Sequence, residues 1–360
     1  MPRTRSALGE TAATLLAIAL TIASAWLLAP EPGAVVLGGM LALALSRSQL
    51  ERDAKGRLEA GIGIPLVGLV GAGIGLLLLE ARWVGALVYV LALAASVWVR
   101  RFGPTWRRIG AIVAIPFTAI LIAPVAIAHA GPLAAVGWLV PILVPVIAFV
   151  WVTLVQLGAR AARLIPPAKP EAPRPEPRRD AKGRRPSDKM AVQLGIALAA
   201  AFVVGFLAFP GHWAWLVLTV VIVLFGNRGR VDALLKGIGR LAGSLAGTAI
   251  AFGATTLATA TGVVGELVVA VVALAIGIFL RRYAYVWWAL CFTVVLAIVQ
   301  EWSGGLGRTV SVSDALGLRL LAILVGAAIA VAVSWWVLPV AIRTPLPRGL
   351  RAWATALSEP

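Results

Sequence analysis

The stretch LEAGIGIPLVGLVGAGIGLLLL, Leu58–Leu79, carries one charge, at its second position, and none after it. Arg47, Arg52, Lys55 and Arg57 precede it, and a second apolar run, Trp83 to Val99, separates it from Arg100, Arg101, Arg107 and Arg108. About 20 apolar residues cross a hydrocarbon core as a helix, so the interval between the two basic clusters holds two crossings. The same interval recurs along the chain. Of the 32 Lys and Arg residues, all but Arg82, Arg308 and Arg319 fall in seven clusters. The others are Arg3 with Arg5; the run from Arg160 to Lys189; Arg228, Arg230, Lys236 and Arg240; Arg281 with Arg282; and Arg343, Arg348 and Arg351. Short loops rich in Lys and Arg stay on the cytoplasmic side. Every second loop, both termini and the central run are therefore predicted to be cytoplasmic, with six spans on each side of that run.

Composition agrees with a membrane chain. Hydrophobic residues make up 61% and charged residues only 13%, against about 25% charged in a soluble domain, and the mean hydropathy is +0.95. A net charge of +17 would ordinarily raise nucleic-acid binding, but the basic residues are already accounted for as topology signals, so no nucleic-acid partner is expected. The lone Cys291 lies in an apolar stretch and cannot form an intrachain disulfide.

The predicted spans are Leu8 to Ala29, Gly33 to Ser46, Leu58 to Leu79, Trp83 to Val99, Trp106 to Ala128 and Leu133 to Gln156, then Met190 to Phe209, Trp213 to Phe225, Arg240 to Thr259, Val263 to Leu280, Tyr283 to Gln300 and Asp314 to Leu338. The first span follows two arginines, as a signal peptide would, but the seventh occupies the same place in the second half and cannot be one. Thirteen of the 14 Trp residues fall near predicted span ends, which reads as an interfacial aromatic belt. Between Ala161 and Lys189 the chain is rich in Pro and basic residues, a composition that cannot bury a core and predicts a disordered cytoplasmic linker.

The halves are weakly similar. Arg100-Arg101-Phe102 answers Arg281-Arg282-Tyr283, Gly56-Arg57-Leu58 answers Gly239-Arg240-Leu241, and Pro30 to Gly33 answers Pro210 to Trp213. Six spans per half with both ends inside predict parallel repeats about an axis along the membrane normal. The predicted second and eighth spans, Gly33 to Ser46 and Trp213 to Phe225, are too short to cross comfortably. Either interfacial residues complete both spans, or the paired short segments at matching positions mark a transport site, because a helix beginning inside the membrane aims its positive end at the substrate.

Arg319 is the basic residue that falls within a predicted span, where a charge costs about 3 kcal/mol on insertion scales and defaults to a functional role. Either it snorkels and pairs with Asp314 or Glu301, or its fork holds an anion. The carboxylates Glu31, Glu80, Glu266, Glu301 and Asp314 cluster at predicted outer ends, and no span carries one at its centre. The buried acid of many proton relays is missing. With His129 and His212 both in loops and no clustered acids, neither a metal site nor a catalytic constellation is expected.

The order His212-Trp213-Ala214-Trp215-Leu216-Val217-Leu218-Thr219, then the basic loop Arg228 to Lys236, then Gly239-Arg240-Leu241-Ala242-Gly243 to Gly247-Thr248 resembles the fusaric acid resistance protein-like family of integral membrane bound transporters. Arg281-Arg282-Tyr283-Ala284, Phe292-Thr293, Arg319-Leu320-Leu321 to Gly326 and Leu338-Pro339 continue the likeness, which covers nearly all of Met190 to Pro339. Two departures stand out. Ala322 and Ile323 stand where the family often has an acidic residue and Thr, and Val35 and Gly39 of the first half stand where Trp215 and Thr219 would be expected. The resemblance implies export of aromatic or other hydrophobic acids.

The expectation is an all-α, polytopic membrane protein of about twelve transmembrane helices, two parallel six-helix repeats forming a pseudo-dimer. Residues 1–160 form a degenerate first repeat, 161–189 the linker, 190–343 the family-like repeat and 344–360 a cytoplasmic tail. It is expected to be a transporter of small organic anions in the inner (plasma) membrane, with membrane lipids around it and a homodimer open. A passive anion channel and a non-transport protein of envelope assembly or lipid handling are the alternatives. Arg319, His212, Trp215 and Thr219 are the candidate substrate residues; no enzyme activity, cofactor or metal is expected.

Overall fold

In the computed structural model, residues 2–30, 32–50, 54–103, 106–111, 139–167, 185–227, 229–302 and 312–338 are described. Their regular elements are helical: α1 (Pro2–Leu28), α2 (Pro32–Leu50), α3 (Ala54–Glu80), α4 (Arg82–Trp98), α5 (Val140–Ala161), α6 (Pro186–Ala208), α7 (Trp213–Leu224), α8 (Arg230–Leu280), α9 (Tyr285–Trp302) and α10 (Val312–Trp336). Among the described residues, seven helices are long and apolar enough to cross a membrane, and the shorter apolar helices Trp213–Leu224, Val264–Leu280 and Tyr285–Val299 accompany them. The chain is a polytopic helical membrane protein. Most of the predicted fifth span, most of the linker, the tail, Glu31 and His129 lie outside the described residues, as do the side chains of Glu301 and Asp314.

A helix in lipid must satisfy its own polar groups, and the threonines of α1 do so locally. Thr11, Thr14 and Thr21 each donate to the carbonyl four residues back, at 2.9, 2.7 and 2.7 Å. Chain punctuation sets the ends. Gly103 at φ 126° follows the 3-10 turn Val99–Phe102 that closes α4, and Gly226 at φ 71° and Gly229 at φ 141° bracket the turn into α8. Pro186 opens α6, where Asp188 Oδ2 accepts from the Arg185 amide at 3.3 Å. That helix starts inside the stretch expected to be linker.

α2 is longer than its sequence promised. It runs 19 residues to Leu50 because the polar end Ser46-Arg47-Ser48-Gln49 is held from neighbouring helices. Gln156 Nε2 donates to the Ser46 carbonyl at 2.7 Å, Arg57 Nη2 to the Gln49 carbonyl at 3.3 Å and Arg160 Nη2 to the Leu50 carbonyl at 2.6 Å. Two otherwise orphaned carbonyls of the helix C-terminus, those of Gln49 and Leu50, are thereby filled, and the two cations complement the negative end of the helix dipole. The matching α7 stays at 12 residues. The paired short spans expected from sequence are therefore not a pair; only the one in the second half is short.

α8 is helical over 51 residues, about 76 Å if straight and far beyond a bilayer. Glycines show that it doubles back. A Cβ on Gly243 would stand 2.6 Å from Ala289 Cβ, and one on Gly277 would stand 2.8 Å from Cys291 Cβ. In a straight helix these glycines would be about 51 Å apart, yet both rest on the same turn of α9. The first arm runs parallel to α9, with Gly239 on Tyr285, Gly243 on Ala289 and Gly247 on Thr293. The second arm returns against it, through the turn at 281–284. The element is therefore two antiparallel arms, of which the second holds the apolar helix Val264–Leu280.

In the first half α1 packs on α2 and α5, α2 on α5, and α3 on α4 and α5. In the second half α6 packs on α7 and α10, α7 on α10, and α8 on α9 and α10. The halves meet chiefly where α4 lies along α6. Tyr89 meets Phe202 edge-on at 5.4 Å and Trp83 meets Phe206 at 5.1 Å and 90°, geometries worth about 1 kcal/mol each beyond burial. Arg101 pairs with Asp188 at 3.3 Å at the other end of the seam. Trp26, Trp98, Trp106, Trp287, Trp335 and Trp336 are exposed, as belt residues should be, whereas Trp215 is buried.

Candidate functional site

The candidate site lies in the second half, where α7, α8 and α10 meet. α7 begins after the turn Phe209 to His212, whose His212 amide donates to the Phe209 carbonyl at 2.9 Å. Its run of Val and Leu is buried along almost its whole length. Trp215 and Thr219 are one turn apart on this helix, and Thr219 Oγ1 donates to the Trp215 carbonyl at 2.8 Å. Both side chains are enclosed, Thr219 completely and Trp215 to 7% exposure.

α10 is pressed against α7 at Gly326, where a Cβ would stand 2.6 Å from the Leu216 carbonyl oxygen and 3.2 Å from Thr219 Cβ. Two turns earlier in α10, Arg319 is buried at 3% exposure, and its guanidinium carbon lies 3.8 Å from the centroid of the Trp215 ring. A desolvated cation–π contact is worth about 2 kcal/mol, which offsets most of the roughly 3 kcal/mol needed to place an arginine in a membrane. The indole is thus a physical reason why this charge is tolerated. Arg319 does not snorkel to the surface.

His212, in the turn at the head of α7, is close enough to feel Arg319. Its own burial first, and then that positive charge, hold its imidazole below the ordinary histidine range. The structure therefore brings all four residues singled out in the sequence, Arg319, His212, Trp215 and Thr219, to one place at the start of α7.

It adds a residue that the sequence had placed among the basic loop clusters. Arg240 is completely buried, 10 residues into α8, and its guanidinium stands close enough to Arg319 for mutual repulsion. The Tyr285 hydroxyl lies beside it. Arg57 of the first half, at the matching Gly-Arg-Leu, is likewise buried, at 6% exposure, and donates to Gln156 Oε1 at 2.9 Å. For Arg240 the signal was present: Gly239, whose Cβ position would stand 3.1 Å from Tyr285 Cδ1, allows the close helix approach that carries the following arginine inside. Cluster counting alone treated both as loop charges. No group of His, Cys, Asp and Glu suited to a metal is found among the described residues.

Residues 196–333 match the family described as fusaric acid resistance protein-like. The matched segment runs from within α6 through most of α10 and contains every residue of the candidate site. No curated protein and no solved structure matches the chain. The second half of this protein, from 196 to 333, is accordingly similar to the fusaric acid resistance protein-like family.

Proposed function

We propose that the protein is a transporter that exports organic anions, aromatic or other hydrophobic acids foremost, across the inner (plasma) membrane. The observation that carries this reading is Arg319, buried against the Trp215 ring inside an apolar helix bundle of the matching family. An arginine so placed presents positive charge beside an aromatic surface, the two features that an aromatic carboxylate engages together. Its role is binding and passage rather than catalysis, with a small-molecule anion as partner and membrane lipid as surroundings.

The architecture behind this reading is twelve crossings in two parallel six-span units, with both termini cytoplasmic. Three things support it: the alternation of basic clusters, the reversal within α8, and the correspondence of packed pairs between halves. Where α1 meets α2 and α5, and α3 meets α4 and α5, so α6 meets α7 and α10, and α8 meets α9 and α10. The second half supplies the anion site, and the first has diverged at Val35 and Gly39.

A toxicity screen tests the function. Strains that overexpress the protein should tolerate higher concentrations of at least one aromatic acid in a panel, and deletion strains lower ones. Unchanged tolerance across the panel, with the protein present in the membrane, contradicts export.

A further inference from the structure

We infer that Arg240 is a second anion-holding residue and that the face Arg240, Ser244, Thr248 of α8 carries a carboxylate between Arg240 and Arg319. The inference rests on the transport reading above and deepens it, since it names the path and the group recognised.

Arg240 has the required chemistry. It is 0% exposed, no ion pair to it occurs among the described residues, and its Nε and Nη2 have no hydrogen-bond partner there. Those two nitrogens share one edge of the guanidinium, the edge whose parallel N–H groups match the two oxygens of a carboxylate. A buried cation with an open edge is costly unless something anionic fills it.

Ser244 and Thr248 follow Arg240 at successive steps of four, so the three residues share one face of the helix. Ser244 is fully buried and Thr248 is 8% exposed. Ser244 Oγ stands 3.4 Å from Thr293 Oγ1, which itself donates to the Ala289 carbonyl at 2.7 Å. Thr248 Oγ1 has no partner among the described residues. From Arg240 to Thr248 the stripe covers about 12 Å, in a helix otherwise lined with Ala, Gly and Leu.

The stripe leads toward Arg319. Gly237, before Arg240, packs on Ala327 and Val331 of α10, with a Cβ position 3.2 Å from Val331 Cγ2. Arg240 is within electrostatic reach of Arg319, which lies earlier in α10. Advancing along α8 therefore means going back along α10, so the Thr248 end of the stripe comes level with Arg319. Arg240 and Arg319 stand at the two ends of one polar track, with hydroxyls between them and the Trp215 ring at its far end. The other role open to Arg240 is as an anchor for Tyr285, and that role predicts no effect from Thr248.

Flux of radiolabelled benzoate into proteoliposomes containing the full-length purified chain tests the track. Arg240→Gln should lower the flux about 30-fold or more, as expected for losing a buried charge partner. Arg240→Lys, which keeps the charge without the bidentate edge, should fall between. Thr248→Val, which leaves both charges and the Tyr285 contact in place, should lower flux about threefold. If Arg240→Gln does not give monodisperse protein, Thr248→Val decides. Wild-type flux in Thr248→Val, or in a folded Arg240→Gln, overturns the track while leaving transport standing. A wild-type protein that moves none of benzoate, salicylate and p-hydroxybenzoate overturns the transport reading and the track with it.

Discussion

The Arg319 guanidinium carbon lies 3.8 Å from the centroid of the Trp215 ring, across the contact of α10 with α7. The charge and the ring are therefore one unit, and removing the ring leaves the charge less stabilised by about 2 kcal/mol. Trp215→Ala and Thr219→Val should both lower transport at equal expression, whereas Trp336→Ala, at a side chain 82% exposed, should leave it unchanged. Flux normalised to protein amount checks this. Proportional loss of flux and protein in all three variants would make α7 purely structural.

Gly326 admits α7 to within contact of α10, since a Cβ there would stand 2.6 Å from the Leu216 carbonyl oxygen. Backbone cannot give way as a flexible side chain can, so Gly326→Ala should destabilise the protein by about 1–3 kcal/mol. Gly317 is on the same helix and its Cβ position meets nothing within 4 Å; Gly317→Ala should be neutral or slightly stabilising through helix propensity. Thermal unfolding in detergent distinguishes the two, and equal midpoints would contradict the packing argument.

The polytopic helical character was legible because long apolar runs between polar, basic stretches show in hydropathy whatever the tertiary packing. The site residues on α7 and α10 were legible for a related reason: a charge amid apolar residues, and a short helix, are anomalies that hydropathy exposes. What stayed hidden depends on contacts between helices far apart in sequence. The end of α2 looks too polar for a span until Gln156 and Arg160 donate to its carbonyls. Arg57 and Arg240 look like loop charges until Gly61 is seen against Phe149, and Gly243 and Gly247 against α9. Small residues that permit close approach are visible in a sequence, but the partner they approach is not.

His212 should confer a pH dependence. Burial and the charge of Arg319 lower its pKa, so the folded protein takes up this proton less readily than the unfolded chain. The stability contributed is complete above the ordinary histidine value of about 6.5 and declines as pH falls through it. Unfolding temperature measured between pH 7.5 and pH 5 should therefore drop less in His212→Gln than in wild type. Identical slopes would show that His212 does not sense Arg319.

Orientation is tested by labelling intact cells with an impermeant thiol reagent after Cys291 is replaced. A cysteine at Gly305, between the predicted eleventh and twelfth spans, should react, and one at Gly183, in the basic central run, should not. Reversed labelling would invert the topology drawn from the basic clusters.

The central claim is that Arg319 holds the transported anion, and flux of radiolabelled aromatic carboxylates in proteoliposomes containing Arg319→Gln and Arg319→Lys tests it most directly. Arg319→Gln should abolish flux while the protein inserts and expresses normally, and Arg319→Lys should keep part of it, because charge survives without the bidentate geometry. Flux at the wild-type rate in a normally inserted Arg319→Gln protein would leave this arginine a structural partner of Trp215 and contradict the account.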